Sequence, residues 1–79
     1  MALYFFDTRD DDTFIEDEVG LEYHDLEAVK KAAARSLAEL AHDVIPGGLK
    51  RVLAVDVRDE QGPVLVATMT FEAVILRPQ

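Results

Sequence analysis

"DLEAVKKAAARSLAELAHDV", Asp25 to Val44, is the stretch that decides the fold. Leu26, Val29, Ala33, Leu37, Leu40 and Val44 recur at intervals of three and four, which puts them on one apolar stripe of an α-helix. Lys31, Arg35, Glu39, His42 and Asp43 fall on the opposite side. Asp25 suits the N-cap, where its carboxylate can accept from the orphan amides of the first turn. Glu27 suits the positive end of the helix dipole and stands four residues before Lys31, an oppositely charged pair on one face. "IPGG", Ile45 to Gly48, stops the helix, because a residue before proline is pushed out of the α region.

Outward from this helix the period changes from 3.6 to 2. "LYFFDT", Leu3 to Thr8, is short and aromatic and reads as a strand. Both its faces are apolar, Leu3 and Phe5 on one and Tyr4 and Phe6 on the other, as expected of a strand inside a sheet. "TFIED", Thr13 to Asp17, is a second short strand, and "DEVG", Asp17 to Gly20, has the Asp-first, Gly-fourth pattern of a turn. After the helix, "RVLAVDVRD", Arg51 to Asp59, alternates Leu53, Val55 and Val57 on one face. "VLVATMTFEAVIL", Val64 to Leu76, is a fourth and longer strand. Leu65, Ala67, Met69, Phe71, Ala73 and Ile75 share one face of it; Val64, Val66, Thr68, Thr70, Glu72, Val74 and Leu76 share the other. The expected architecture is α+β, ββαββ: a four-stranded antiparallel sheet with the one long helix packed on one face.

The chain is one domain over residues 1–79, with no linker or repeat. Its apolar fraction of 49% is high for a net charge of −8, and that argues for a packed domain over an acidic disordered tail. There is no cysteine for a disulfide or a thiolate zinc site. No apolar run approaches the roughly 18 residues that span a membrane. The start, "MALYFFDTRDDD", lacks a basic leader and turns acidic within a few residues, which is unlike a signal peptide. Eight basic residues, scattered among sixteen acidic ones, speak against nucleic acid as a partner. The expected location is the cytoplasm.

Four short elements, in this order and spacing, make the chain resemble a known group: "YFFD" at Tyr4–Asp7, "DEVG" at Asp17–Gly20, "DLEA" at Asp25–Ala28 ahead of an alanine-rich helix, and "VRDEQG" at Val57–Gly62. The group is a set of small alphaproteobacterial proteins, common in rhizobia, known as a domain of unknown function. It often has Asp-Gly in the first hairpin turn, where this chain has Asp11-Asp12. The resemblance implies a small bacterial cytoplasmic α+β protein and brings no activity, cofactor or catalytic residue.

Seven carboxylates between Asp7 and Glu18 invite a metal or acid-catalysis reading. A calcium loop of the EF-hand kind needs oxygen ligands at positions one, three and five and glycine at six. Counting from Asp10 puts Phe14 and Ile15 at five and six; counting from Asp7 puts Arg9 at three. Both registers fail, so no metal site is expected, and Asp10, Asp11 and Asp12 read as turn residues that keep a sheet edge soluble. Ser36 sits inside the helix without the elbow that exposes a serine nucleophile. His42 is in the last helical turn, where a cation is favoured. His24 adjoins Asp25, a base beside an orienter, but no nucleophile completes a triad. No catalytic residue and no cofactor is expected.

The expected function is a non-enzymatic interaction module that self-associates as a homodimer. Two surfaces qualify. One is the sheet face opposite the helix, where Tyr4 or Phe6 with Val64, Val66, Val74 and Leu76 would leave an apolar strip. The long fourth strand should also overhang the second, leaving Glu72 to Leu76 with unpaired backbone. The other is a shoulder of the helix, Ala34, Ala38, Ala41 and Ile45. Alternatives are an antitoxin-like small binding domain, and a small enzyme with a site across a dimer interface near His24 and Asp17.

Overall fold

The computed structural model describes residues 1–77. The chain forms β1 (Ala2–Asp10), β2 (Thr13–Ile15), β3 (Leu21–Tyr23), α1 (Leu26–Val44), a 3₁₀ turn (Ile45–Gly47), β4 (Lys50–Asp59) and β5 (Gly62–Glu72). The α+β class and the single long helix are as the periodicity predicts. The strand count is not: the antiparallel sheet has five strands, and the order ββαββ gains a third strand before the helix. Strands run β2-β1-β4-β5 across the sheet, and β3 also pairs with β1.

The extra strand has a simple origin. β2 and β3 lie end to end along the same side of β1, which pairs Thr8 with Ile15 and Tyr4 with Leu21. Four residues of β1 span the gap that the edge crosses in six, so the edge carries an excursion, Glu16–Gly20, with two residues too many. Each piece is only three residues long, too short to show an alternation. β1 is interior, as its two apolar faces predict.

The helix covers one face. Val29, Ala33, Leu37 and Ala41 are buried against Leu53, Val55 and Val57, with Tyr4, Phe6, Tyr23, Leu40, Val44, Val64 and Leu65 around them. These buried helix positions are spaced by four. A step of four residues turns an α-helix by about 40° past a full revolution, so the line drifts toward Ala41 and away from the three-four stripe. Leu26, at the predicted start of that stripe, is 55% exposed. Asp25 caps the helix as expected, accepting from the Ala28 amide at 2.8 Å.

Candidate functional site

The excursion in the β2/β3 edge is tied down by polar groups. Asp17 accepts through one carboxylate oxygen from the amides of Val19 and Gly20, at 3.0 and 3.1 Å, and through the other from the amide of Phe6 at 3.0 Å. Burial alone would raise its pKa, but these three donors, with the Arg58 charge, hold it below the ordinary carboxylate range. The Asp17 amide donates to Asp7 at 2.9 Å. Asp7 is buried and also receives Arg58, which donates at 2.9 Å to one Asp7 oxygen and at 3.0 Å to the Asp17 carbonyl. The Arg58 guanidinium lies 4.4 Å from the centre of the Phe5 ring. Gly20 completes the knot at φ +76°, where an added Cβ would meet Phe5 at 2.9 Å and the Tyr4 carbonyl at 3.0 Å. A side chain is excluded there twice, by backbone conformation and by space.

Asp7 faces Asp56 directly across β1 and β4, a like-charge pair that would oppose folding on its own. Each is answered on the diagonal. Arg58 takes Asp7, and Arg9 takes Asp56 with two bonds of 2.6 and 3.0 Å. The face away from the helix therefore carries two arginine–aspartate pairs, with exposed Phe14, Val52 and Val66 beside them, and not the strip expected. Tyr4, Phe6 and Val64 pack on the helix side instead. Val64 changes sides because the β4–β5 ladder shifts register at Val57/Arg58: Val57 pairs with Leu65 and Arg58 with Pro63, leaving Val64 as the extra residue. Val66 keeps its predicted face and is 53% exposed. Val74 and Leu76 are exposed but lie beyond the end of β5 at Glu72. The expected overhang is shorter too, since Glu72 pairs with Lys50 and the Ala73 amide donates to Leu49 at 2.7 Å.

The tip of the first hairpin is also engaged. Asp11 adopts φ +52°, a turn conformation that aspartate tolerates. Its amide donates to Val52 and its carboxylate accepts from the Val52 amide. Arg51 donates to Asp10 at 2.6 and 3.0 Å, which holds Asp10 below the ordinary carboxylate pKa and raises that of Arg51. Among the described residues, no group of three or more His, Asp or Glu side chains is placed to hold a metal ion.

The opposite edge is built differently. β5 runs eleven residues and, among the described residues, pairs only with β4. In an antiparallel ladder alternate residues turn their backbone groups to the partner. Because Ala73 bonds to Leu49, the residues turned toward β4 are Phe71, Met69, Ala67 and Leu65. Val66, Thr68, Thr70 and Glu72 thus turn N–H and C=O outward, on a side where no strand of the described residues lies. From Val64 to Phe71 there is no charge, proline or glycine. Met69 is 36% exposed on the helix side of this edge.

Other predicted positions scatter. Ala34 and Ala38 are exposed, whereas Ala41 is buried and Ile45 half-buried against the core, so the four do not form one free shoulder. His24 and Ser36 are exposed, and Asp25 beside His24 is spent on capping. His42 is exposed beside Asp43 at 3.6 Å. His24 and Asp17 are not in hydrogen-bond contact, because the Asp17 carboxylate is taken up by backbone amides. An open recess of about 430 Å³ lies between the chain start and the β4–β5 turn, lined by Met1, Leu3, Glu22, Asp59 and Glu60 among others. Sequence reasoning missed the Asp7–Asp17–Arg58 knot. Its one legible sign was "FFD", an aspartate ending an apolar run in an interior strand.

Residues 3–71 match the family model of a domain of unknown function (DUF6894), and the chain belongs to that family. The match starts inside β1 and stops one residue before the end of β5, so it takes in both edges of the sheet. No curated protein and no solved structure matches the chain.

Proposed function

We propose that this family member is a non-catalytic interaction module of a bacterial cytoplasm, and that it associates with itself through the edge of its sheet. The observation that carries this reading is the asymmetry of the two edges. A long, uncharged edge strand is a template for another strand, and chains that stay single blunt such edges with charge, proline or breaks. Here the β2/β3 edge has a five-residue break and four carboxylates, Glu16, Asp17, Glu18 and Glu22. β5 begins with Pro63 and a bulge at Val64, and has none of these devices from Leu65 to Phe71. The arginines and aspartates of the outer face support a binding role over catalysis, since they are engaged with one another. The test is molar mass by light scattering across a dilution series. A mass that rises toward twice the chain mass at tens of micromolar is expected; a monomer at that concentration contradicts the reading.

A further inference from the structure

We infer that the occupant of the β5 edge is the β5 strand of a second copy, running antiparallel about a two-fold axis at Thr68. This rests on the self-association proposed above and gives it a surface and a register. The backbone restricts the choice. Only Val66, Thr68, Thr70 and Glu72 turn their groups outward, so a one-residue slip would set outward groups against inward ones. A register centred on Thr68 pairs Val66 with the partner's Thr70 and Thr68 with the partner's Thr68. In this register Glu72 falls at the end of the pairing, opposite the bulged Val64. A slip of two residues one way draws it inward, opposite Val66, and the other way brings Pro63 opposite Phe71.

Side chains favour the same register. On the helix side it sets Leu65 against the partner's Phe71 and Ala67 against the partner's Met69, each pair occurring twice by symmetry. Leu65, Ala67 and Phe71 are half-buried and Met69 is exposed in the single chain, so all have apolar surface left to cover. Apolar aromatic–aliphatic pairs are the contacts that stabilise neighbouring strands. On the other side the facing residues are Val66, Thr68 and Thr70, β-branched residues suited to a pleated surface. A two-fold axis closes the assembly at two chains.

The test uses the full chain and two edge variants. Thr68→Pro removes an amide that makes no bond to β4, a place where an edge strand tolerates proline. Val66→Lys puts a charge into the same edge without touching the backbone. Molar mass is measured at tens of micromolar, with far-ultraviolet circular dichroism to confirm the fold. The parent should have twice the chain mass and the folded variants the mass of one chain. Ala38→Glu, on the helix, should leave the dimer intact. A dimer that survives Val66→Lys and a folded Thr68→Pro overturns the β5 pairing while leaving self-association in place. A monomeric parent overturns both.

Discussion

The two edges of this sheet face the same solvent and are made by opposite means. The β2/β3 edge is two pieces of three residues, split by Glu16–Gly20 and fastened by Asp17, Asp7 and Arg58. The β5 edge is one strand of eleven, bulged at Val64 and then unbroken and uncharged through Phe71. Keeping the first closed takes a buried aspartate, a glycine in the left-handed region and an arginine from an inner strand of the sheet. That much structure spent on one edge makes the bareness of the other informative. A sheet in which both edges were merely surface would have no reason to differ so much between them.

The difference can be broken from either side, and the core sets the scale. Leu37→Ala should have the largest effect, about 2–5 kcal/mol in denaturant unfolding, because Leu37 is buried on the helix line against the sheet. Arg35→Ala, exposed on the far side, should change stability by less than about 0.5 kcal/mol. If the two unfold alike, the helix does not pack as described.

Asp17→Ala comes next. It removes the acceptor for three backbone amides, and hydrogen bonds to a charged group contribute about 1.5–3 kcal/mol each, without adding fully. A loss of about 2–4 kcal/mol is expected, with faster amide exchange at Phe6, Val19 and Gly20. Glu18→Ala, exposed in the same loop, should cost less than about 0.5 kcal/mol. Equal effects would mean that the break is not held by Asp17. Gly20→Ala attacks the same knot through φ and space and should cost about 1–3 kcal/mol. An unchanged melting temperature would show that the loop is free to relax.

Acid offers a gentler test. Asp10 and Asp17 have folded-state pKa values below the ordinary value, from the Arg51 hydrogen bond in one case and from amides that outweigh burial in the other. Both are charged in folded and unfolded chains above about pH 5, so their contribution is complete there. Below about pH 4 the unfolded chain takes up protons first, and the contribution is lost as pH falls toward the folded values. Melting temperature should therefore be flat between about pH 5 and 7 and fall below about pH 4, less steeply in Asp17→Asn. A variant that follows the parent throughout would remove Asp17 from the account.

Much of this fold is legible in the chain. The helix, Leu26 to Val44, has the expected extent and N-cap. Ile45 before the proline, however, keeps helical dihedrals (φ −61°, ψ −41°), and the chain tightens into a 3₁₀ turn that accepts Pro46, which needs no amide there. The β-strand alternation of Leu53, Val55 and Val57 finds the core face. What was not legible has a common cause. Periodicity assumes an unbroken element, and the errors in the strands fall at breaks. Leu21–Tyr23 hides because two residues are inserted before it. Val64 crosses to the core because the register shifts at Val57/Arg58. β5 stops at Glu72 although the apolar pattern continues through Leu76, since β4 begins at Lys50 and offers no partner beyond Leu49. The knot of Asp7, Asp17 and Arg58 joins residues 10 and 41 or more positions apart, and no local pattern announces such a meeting. The β5 edge was legible as a long apolar strand, but its outward-turned backbone became visible only with the sheet order.

The claim that one edge is open and the other closed is tested most directly by residue-resolved amide hydrogen exchange at low and high protein concentration. The amides of Val66, Thr68 and Thr70 should exchange fast in dilute protein and become protected on concentration, while the amides along β2 and β3 do not change. Protection that appears on β2 or β3 instead, or β5 amides equally exposed at both concentrations in a protein that is dimeric by mass, would contradict it.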